Sequence, residues 1–336
     1  MKDKAIVLSI YRGLSEDMAS GTSSSLHYCI YTLLKHENDK DIDIYIYSNR
    51  VEDLQKLILR YNKKYSIDFN RIKFKNFNWL DGGGPLRASH KWRNILDTFQ
   101  LHEYRGVLWL DCDIFVNRNI KYLFDRFENE EELVAVLENL YFKRGSRFNS
   151  NLDSGVMFFS RKLYDKKFKH IADFNSLLDK KISFLIENRK DFIKLEELNS
   201  WRELNFTTWT VEQVAGQDLL IDLDVQINSK LKDEGHVAAW PYIIGAPHIK
   251  NGICDITQYP ICHYKNNFTP IFVPKELWHA QENQYSSIET IYKFDSNLLA
   301  FGSDKNNCPK CGIAWETLNS RTKPEWINYV PKPFLE

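Results

Sequence analysis

Apolar positions along the chain follow two rhythms, and the rhythms alternate. Residues 5–10, "AIVLSI", form an unbroken apolar run, the mark of a strand buried on both faces. In "SSSLHYCIYTLLKH", Leu26, Cys29, Ile30, Leu33 and Leu34 recur at helical spacing behind serines suited to an N-cap. "DIYIYS", residues 43–48, predicts a second strand. "VEDLQKLILRY" puts Val51, Leu54, Leu57, Ile58 and Tyr61 on one helical face. "NRIKFKNF" is a weaker third strand, and the Gly82–Gly84 run with Pro85 forms a loop before a helix through "SHKWRNILDTF". "GVLWL", "LVAVL" and "GVMFFS" predict further strands. Strands alternating with helices imply βαβ units and a mostly parallel sheet, hence an α/β domain. Residues 161–206 are charged and helical in period, a helical excursion from that sheet. From about Lys265 the periodicity fades into Asn, Pro and aromatic residues. The expected organisation is therefore a core over residues 1–265 with a C-terminal appendage, residues 266–336, packed on it.

One strand ends unusually. In "GVLWLDCDIFVNRN" four apolar residues run straight into Asp111 and Asp113, with Cys112 between them. In open α/β sheets ligands sit beyond the carboxyl ends of the strands, so both acids fall on the ligand side. Two carboxylates at i and i+2 can converge on one hard cation such as Mg²⁺ or Mn²⁺, which keeps positions for water and substrate phosphate. The plain alternative is a turn with solvated acids; termination of a buried strand favours the cation. Acidic neighbours disfavour a Cys112 thiolate, so this cysteine is expected to pack rather than react.

Composition narrows the classes. The chain has 336 residues, 43% hydrophobic and 14% aromatic, enough for a sizeable core. Lys+Arg and Asp+Glu both number 45, which argues against a broad basic face for nucleic acid. No apolar run reaches the length of a membrane span. The N-terminal apolar stretch lacks a small-residue cleavage site and is expected to be a first strand. Six scattered cysteines suit a reducing, cytoplasmic setting.

Four segments, in order, resemble the glycogenin and lipopolysaccharide galactosyltransferase family, nucleotide-sugar transferases of the GT-A fold. "YRGVLWLDCDIFVNRNIKYLF" is similar to its D-x-D region and "FNSNLDSGVMFFSR" to its asparagine–alanine–glycine strand motif. "VAGQDLL" resembles its D-Q-D segment, and "YPICHYKNN" its late histidine motif. The resemblance spans roughly residues 5–267. It implies that Asp111, Asp113 and His263 hold a Mn²⁺ (or Mg²⁺), and that Asp153, Ser154 and Gly155 line the donor sugar pocket. It further implies that Gln217 and Asp218 lie beside the anomeric carbon as catalytic candidates. Lys91 or Arg93 would reach the donor diphosphate, Lys265 would supply a phosphate contact, and Ser9 to Arg12, with Tyr11, would meet the nucleotide base. Departures are visible too: Asp-Ser replaces Asn-Ala at 153–154, Gly216 replaces the first acid, and the late glycine and Lys-Pro-Trp are absent. For His263 taken alone, a hydrogen-bonded buried histidine is the competing reading, as a solvated helix charge is for Lys91 and Arg93.

The implied reaction is metal-dependent transfer of a sugar from a nucleotide-diphosphate donor, a UDP-sugar being expected, to a glycan or glycolipid acceptor with retention. The transition state would be oxocarbenium-like. Two rivals stand beside it: a haloacid-dehalogenase-like phosphatase, which also uses Asp-x-Asp after a buried strand, and an inactive sugar-binding protein on a transferase scaffold. The phosphatase pair follows the first strand, whereas here a large α/β segment precedes it. Separately, Cys308 and Cys311 in "NNCPKCG" offer half of a structural Zn²⁺ site that Cys254 or Cys262 would complete; free thiols on a surface turn are the alternative. The basic and aromatic tail "RTKPEWINYVPKPFLE" is expected to pack on the core or, at most, touch the inner face of a membrane.

Overall fold

The computed structural model describes residues 3–10, 29–30, 32–37, 39–49, 51–52, 54–56, 68–76, 90–112, 114–137, 152–171, 173–187, 211–239, 249–250, 253–254 and 259–263. The expected appendage 266–336, with Cys308 and Cys311, lies outside these residues, as do Tyr11, Asp113, Lys265 and residues 188–206 of the expected helical excursion.

The apolar runs become the strands β1 (Lys4–Ile10), β2 (Ile42–Ser48), β3 (Ile72–Asn76) and β4 (Gly106–Leu110), followed by the short β5 (Ile114–Val116) and by β6 (Leu133–Leu137) and β7 (Leu152–Ser160). With β8 (Ile227–Asn228), all but β5 form one seven-stranded sheet in the order β3-β2-β1-β4-β7-β6-β8. β1 runs parallel to β2 and β4, β2 parallel to β3, and β6 parallel to β8. β7 runs antiparallel to both β4 and β6. The chain is thus α/β with a mostly parallel central sheet flanked by helices.

Alternation sorts the strand residues by face. Ala5 and Val7 of β1, Val107 and Trp109 of β4, and Met157 and Phe159 of β7 belong to one buried cluster. Trp92, Ile95 and Phe99 of helix α1 (His90–Leu101) join it. So do Leu178 and Ile182 of α3 (Phe174–Glu187) and Val214 and Leu219 of α4 (Val211–Asp222). The other face packs Phe124 and Phe127 of α2 (Lys121–Phe127) against Phe158 of β7, with ring centroids 5.4 and 5.8 Å apart. Each such fully buried side chain contributes ~1.5–3 kcal/mol of transfer free energy.

Two irregularities shape the carboxyl end of the sheet. Pairing of β6 with β7 passes from Ala135↔Met157 directly to Val136↔Asp153, leaving residues 154–156 of β7 outside the register with β6. Such bulges bend a strand and re-aim its side chains. Next to it, β12 (Ile261–His263) lies antiparallel to β5 and parallel to β9 (Val237–Ala239), forming a small three-stranded sheet, while β10 (Ile249–Lys250) and β11 (Ile253–Cys254) pair antiparallel with each other. Among the described residues no helix is long and apolar enough to cross a membrane.

Candidate functional site

Asp111 directly follows β4, as the apolar run predicts, and its backbone N–H donates to the Gly155 carbonyl at 2.8 Å. This bond continues the β4–β7 ladder by one residue and fixes the acid at the sheet's carboxyl edge. Being two residues beyond Trp109, Asp111 shares that residue's face, where α1 packs. The Trp109 indole Nε1–H donates to Asp111 Oδ1 at 2.8 Å. Lys91, in the first turn of α1, sets its Nζ 3.3 Å from Oδ1 and 3.4 Å from Oδ2 of Asp111, and donates to Ser154 Oγ at 2.9 Å. The Asp111 side chain is 28% exposed and that of Lys91 10%, so the carboxylate stays accessible while the ammonium is mostly enclosed.

The Asp111–Cys112 turn is held from two sides. The Cys112 thiol donates to the Ser9 carbonyl at 3.0 Å, and the Cys29 thiol to the Asp111 carbonyl at 3.6 Å. Ser9, expected at the nucleotide end of β1, is therefore a direct neighbour of the turn. Cys112 acts here as a hydrogen-bonding packing residue.

His263 arrives on β12, where it registers opposite Ile114, the residue after Asp113. Its Nδ1 lies 3.3 Å from Asp153 Oδ2, and both side chains are only 3% exposed. Asp153 Oδ1 accepts the Gly155 N–H at 2.9 Å. Gly155 is required at its position. A Cβ there would fall 2.6 Å from Nδ1 and 2.8 Å from Nε2 of His263, and nearer still to Cε1. The bulged stretch of β7 thus serves Asp111 through the Gly155 carbonyl, Lys91 through Ser154, and His263 through Asp153.

The remaining expected residues separate. Gln217 Oε1 on α4 accepts the Leu152 N–H at 3.2 Å, placing it at the start of β7 next to Asp153. Asp218 turns the other way and pairs with Lys181 of α3, which also holds Asp222 at 2.6 Å. Arg93 reaches Asp179 of α3 at 2.5 Å rather than the Asp111 cluster. An open cleft of about 560 Å³ runs along α3 past Arg93, Asp179 and Phe184, and none of the Asp111 cluster lines it. Trp109 is the site residue missed in the sequence, where it reads only as core. Its distance of two residues from Asp111 on a strand was the available signal.

Among the described residues no set of three His, Cys, Asp or Glu side chains is arranged as a metal site. The expected trio includes Asp113, outside those residues. The other two members are donors of a kind that suits such a cation. An accessible oxygen donor and an imidazole are brought to either side of the same turn, one by β4 and one by the β5–β12 pairing.

No protein-family model matches the chain, and no curated protein sequence matches it. Solved structures do. The galactosyltransferase LgtC in complex with donor and acceptor sugar analogs is 17% identical, with 85% of this chain and 95% of that one covered at a TM-score of 0.48. Mouse xyloside xylosyltransferase 1 is 12% identical over 78% and 98% of the two chains, TM-score 0.46. The glycosyltransferase GlyE of Streptococcus pneumoniae TIGR4 is 14% identical over 80% of this chain and 56% of that one, TM-score 0.45. With each of these scores below 0.5, the likeness assigns neither a donor nor an acceptor to this chain.

Proposed function

We propose that this chain is a metal-dependent glycosyltransferase that moves a sugar from a nucleotide-diphosphate donor, of the UDP-sugar type, to a glycan or glycolipid acceptor with retention. The observation that carries the reading is the pairing of Lys91 with Asp111 at the carboxyl end of β4, with His263 entering opposite Ile114 just past the same turn. An acid, a fixed cation and an imidazole at a strand end answer the needs of a diphosphate leaving group.

Asp111, Asp113 and His263 would hold Mn²⁺ or Mg²⁺, which when bound supplies Lewis-acid stabilisation of the departing diphosphate. Lys91 is fixed by Ser154 and Asp111 so that its charge lies at the diphosphate position at no further ordering cost. Ser9 and Tyr11, at and just beyond the end of β1, would meet the base. Gln217 is the better placed of the α4 pair to reach the donor sugar. Asp218 would act by fixing α4 against α3 through Lys181. Lys265 would add a phosphate contact.

The test is thermal stability of the protein with nucleoside diphosphates and nucleotide sugars, each in Mn²⁺ and in EDTA. A ligand at 100 times its Kd adds ~2.7 kcal/mol to the folded state. We expect a shift with one nucleotide series that needs Mn²⁺ and disappears in Asp111→Ala. No shift in any combination, or an equal shift in EDTA, would defeat the proposal.

A further inference from the structure

The resemblance to the transferase family places an asparagine of the donor sugar pocket at position 153. In this chain the position is an aspartate, and its surroundings point elsewhere. Its carboxylate is 3% exposed and faces an imidazole that is equally buried. We infer that Asp153 is a positioning residue for His263, setting the imidazole so that its Nε2 lone pair serves a divalent cation; this rests on the metal seat proposed above.

Three features constrain the pair. The Gly155 N–H occupies Asp153 Oδ1 at 2.9 Å, which turns Oδ2 toward His263 Nδ1 at 3.3 Å. The absence of a side chain at Gly155 lets the imidazole lie against the β7 backbone, where any Cβ would collide with three ring atoms. The ring is therefore set by backbone below and carboxylate at one edge. Finally, Asp153 is anchored in the β6–β7 ladder opposite Val136 and stands at the edge of the bulge formed by the three residues that follow it.

The chemistry follows from the two ring nitrogens. A carboxylate facing Nδ1 favours the neutral tautomer that carries its proton there, which leaves the lone pair on Nε2. Carboxylate–histidine–metal arrangements use this to orient the ring and raise ligand basicity, and removing the outer carboxylate typically costs about 10–100-fold in metal affinity. In Asp153→Asn the side-chain oxygen would keep the Gly155 N–H and turn the amide NH₂ toward Nδ1. That change favours the proton on Nε2, the nitrogen the cation needs.

The experiment is titration with Mn²⁺ alone, followed by the electron paramagnetic resonance signal of free Mn²⁺, for the wild type, Asp111→Ala and Asp153→Asn. The expected result is Mn²⁺ affinity reduced about 10–100-fold in Asp153→Asn with a melting profile near that of the wild type. Wild-type affinity in Asp153→Asn, with affinity lost in Asp111→Ala, would overturn the role of Asp153 and leave the metal seat standing. A wild-type protein that binds no Mn²⁺ removes both. Should Asp153→Asn not fold, imidazole nitrogen shifts of His263 in ¹⁵N-histidine-labelled wild-type protein decide the matter. A proton on Nδ1 supports the inference, and a proton on Nε2 overturns it.

Discussion

Lys91 and Arg93 stand two residues apart in the first turn of α1, and from the sequence either could reach a diphosphate. Their partners separate them: Lys91 meets Asp111 and Ser154, whereas Arg93 meets Asp179 on α3. Helical geometry is the reason, since residues two apart point to different sides of a helix. We expect Lys91→Met to weaken nucleoside diphosphate binding by about 10–100-fold, the loss of a charge-assisted contact of ~1.5–3 kcal/mol. Its affinity for Mn²⁺ alone should hold or rise, because the ammonium competes with the cation for Asp111. Arg93→Met should lower the melting temperature and leave nucleotide affinity unchanged. Calorimetric titration of the three proteins checks this, and nucleotide affinity lost in Arg93→Met but kept in Lys91→Met would reverse the assignment. Gly216 makes the same point about legibility. It stands where the resemblance has an acid, and the reason lies in another element: a Cβ there would fall 2.6 Å from Trp92 Cε2.

Elements that bury both faces of a strand were legible, because a continuous apolar run has few other uses. The β4 run and the acid that terminates it are of this kind. The antiparallel insertion of β7, its bulge, and the docking of β12 on β5 were not legible. They depend on pairings between distant segments, and no local periodicity records them. Glu37 shows how such joints are closed. It is fully buried after the helical residues 32–36, and its carboxylate accepts the Asp39 N–H at 2.9 Å, Asn119 Nδ2 at 3.2 Å and the Ile120 N–H at 3.3 Å. Burial pushes its pKa above the ordinary glutamate value despite these donors. A raised folded-state pKa means that the native state binds the proton more tightly than the unfolded chain. This residue's contribution therefore becomes less favourable as pH rises from the unfolded value through the folded one. Relative to wild type, Glu37→Gln should thus gain melting temperature as pH rises above the ordinary glutamate value. The opposite trend in paired melting curves would show that the accepted hydrogen bonds outweigh burial.

At the scale of the whole molecule, the candidate site is assembled by closing the chain on itself. Asp111 is delivered by the central sheet, and His263 by a strand that belongs to the smaller one. The β5–β12 pairing is carried one residue further beyond the acids, where the Asn117 N–H donates to the Pro260 carbonyl at 2.8 Å and Asn117 Nδ2 donates to the Tyr259 carbonyl, 142 residues later in the chain, at 3.2 Å. Asn117 is a buried residue of the joint, displaced from the expected metal ligands. Its replacement by alanine keeps the backbone bond and removes the side-chain one, worth ~1 kcal/mol. If docking of β12 sets the position of His263, that loss should reach the cation. Asn117→Ala is expected to bind Mn²⁺ about fivefold more weakly, with only a small drop in melting temperature. An unchanged Mn²⁺ affinity would mean that the β5–β12 ladder and the Gly155 platform hold His263 without the latch. Loss of Mn²⁺ affinity in Asn117→Ala beside an intact fold would instead show that ligand geometry in this molecule is set by how β12 docks on β5.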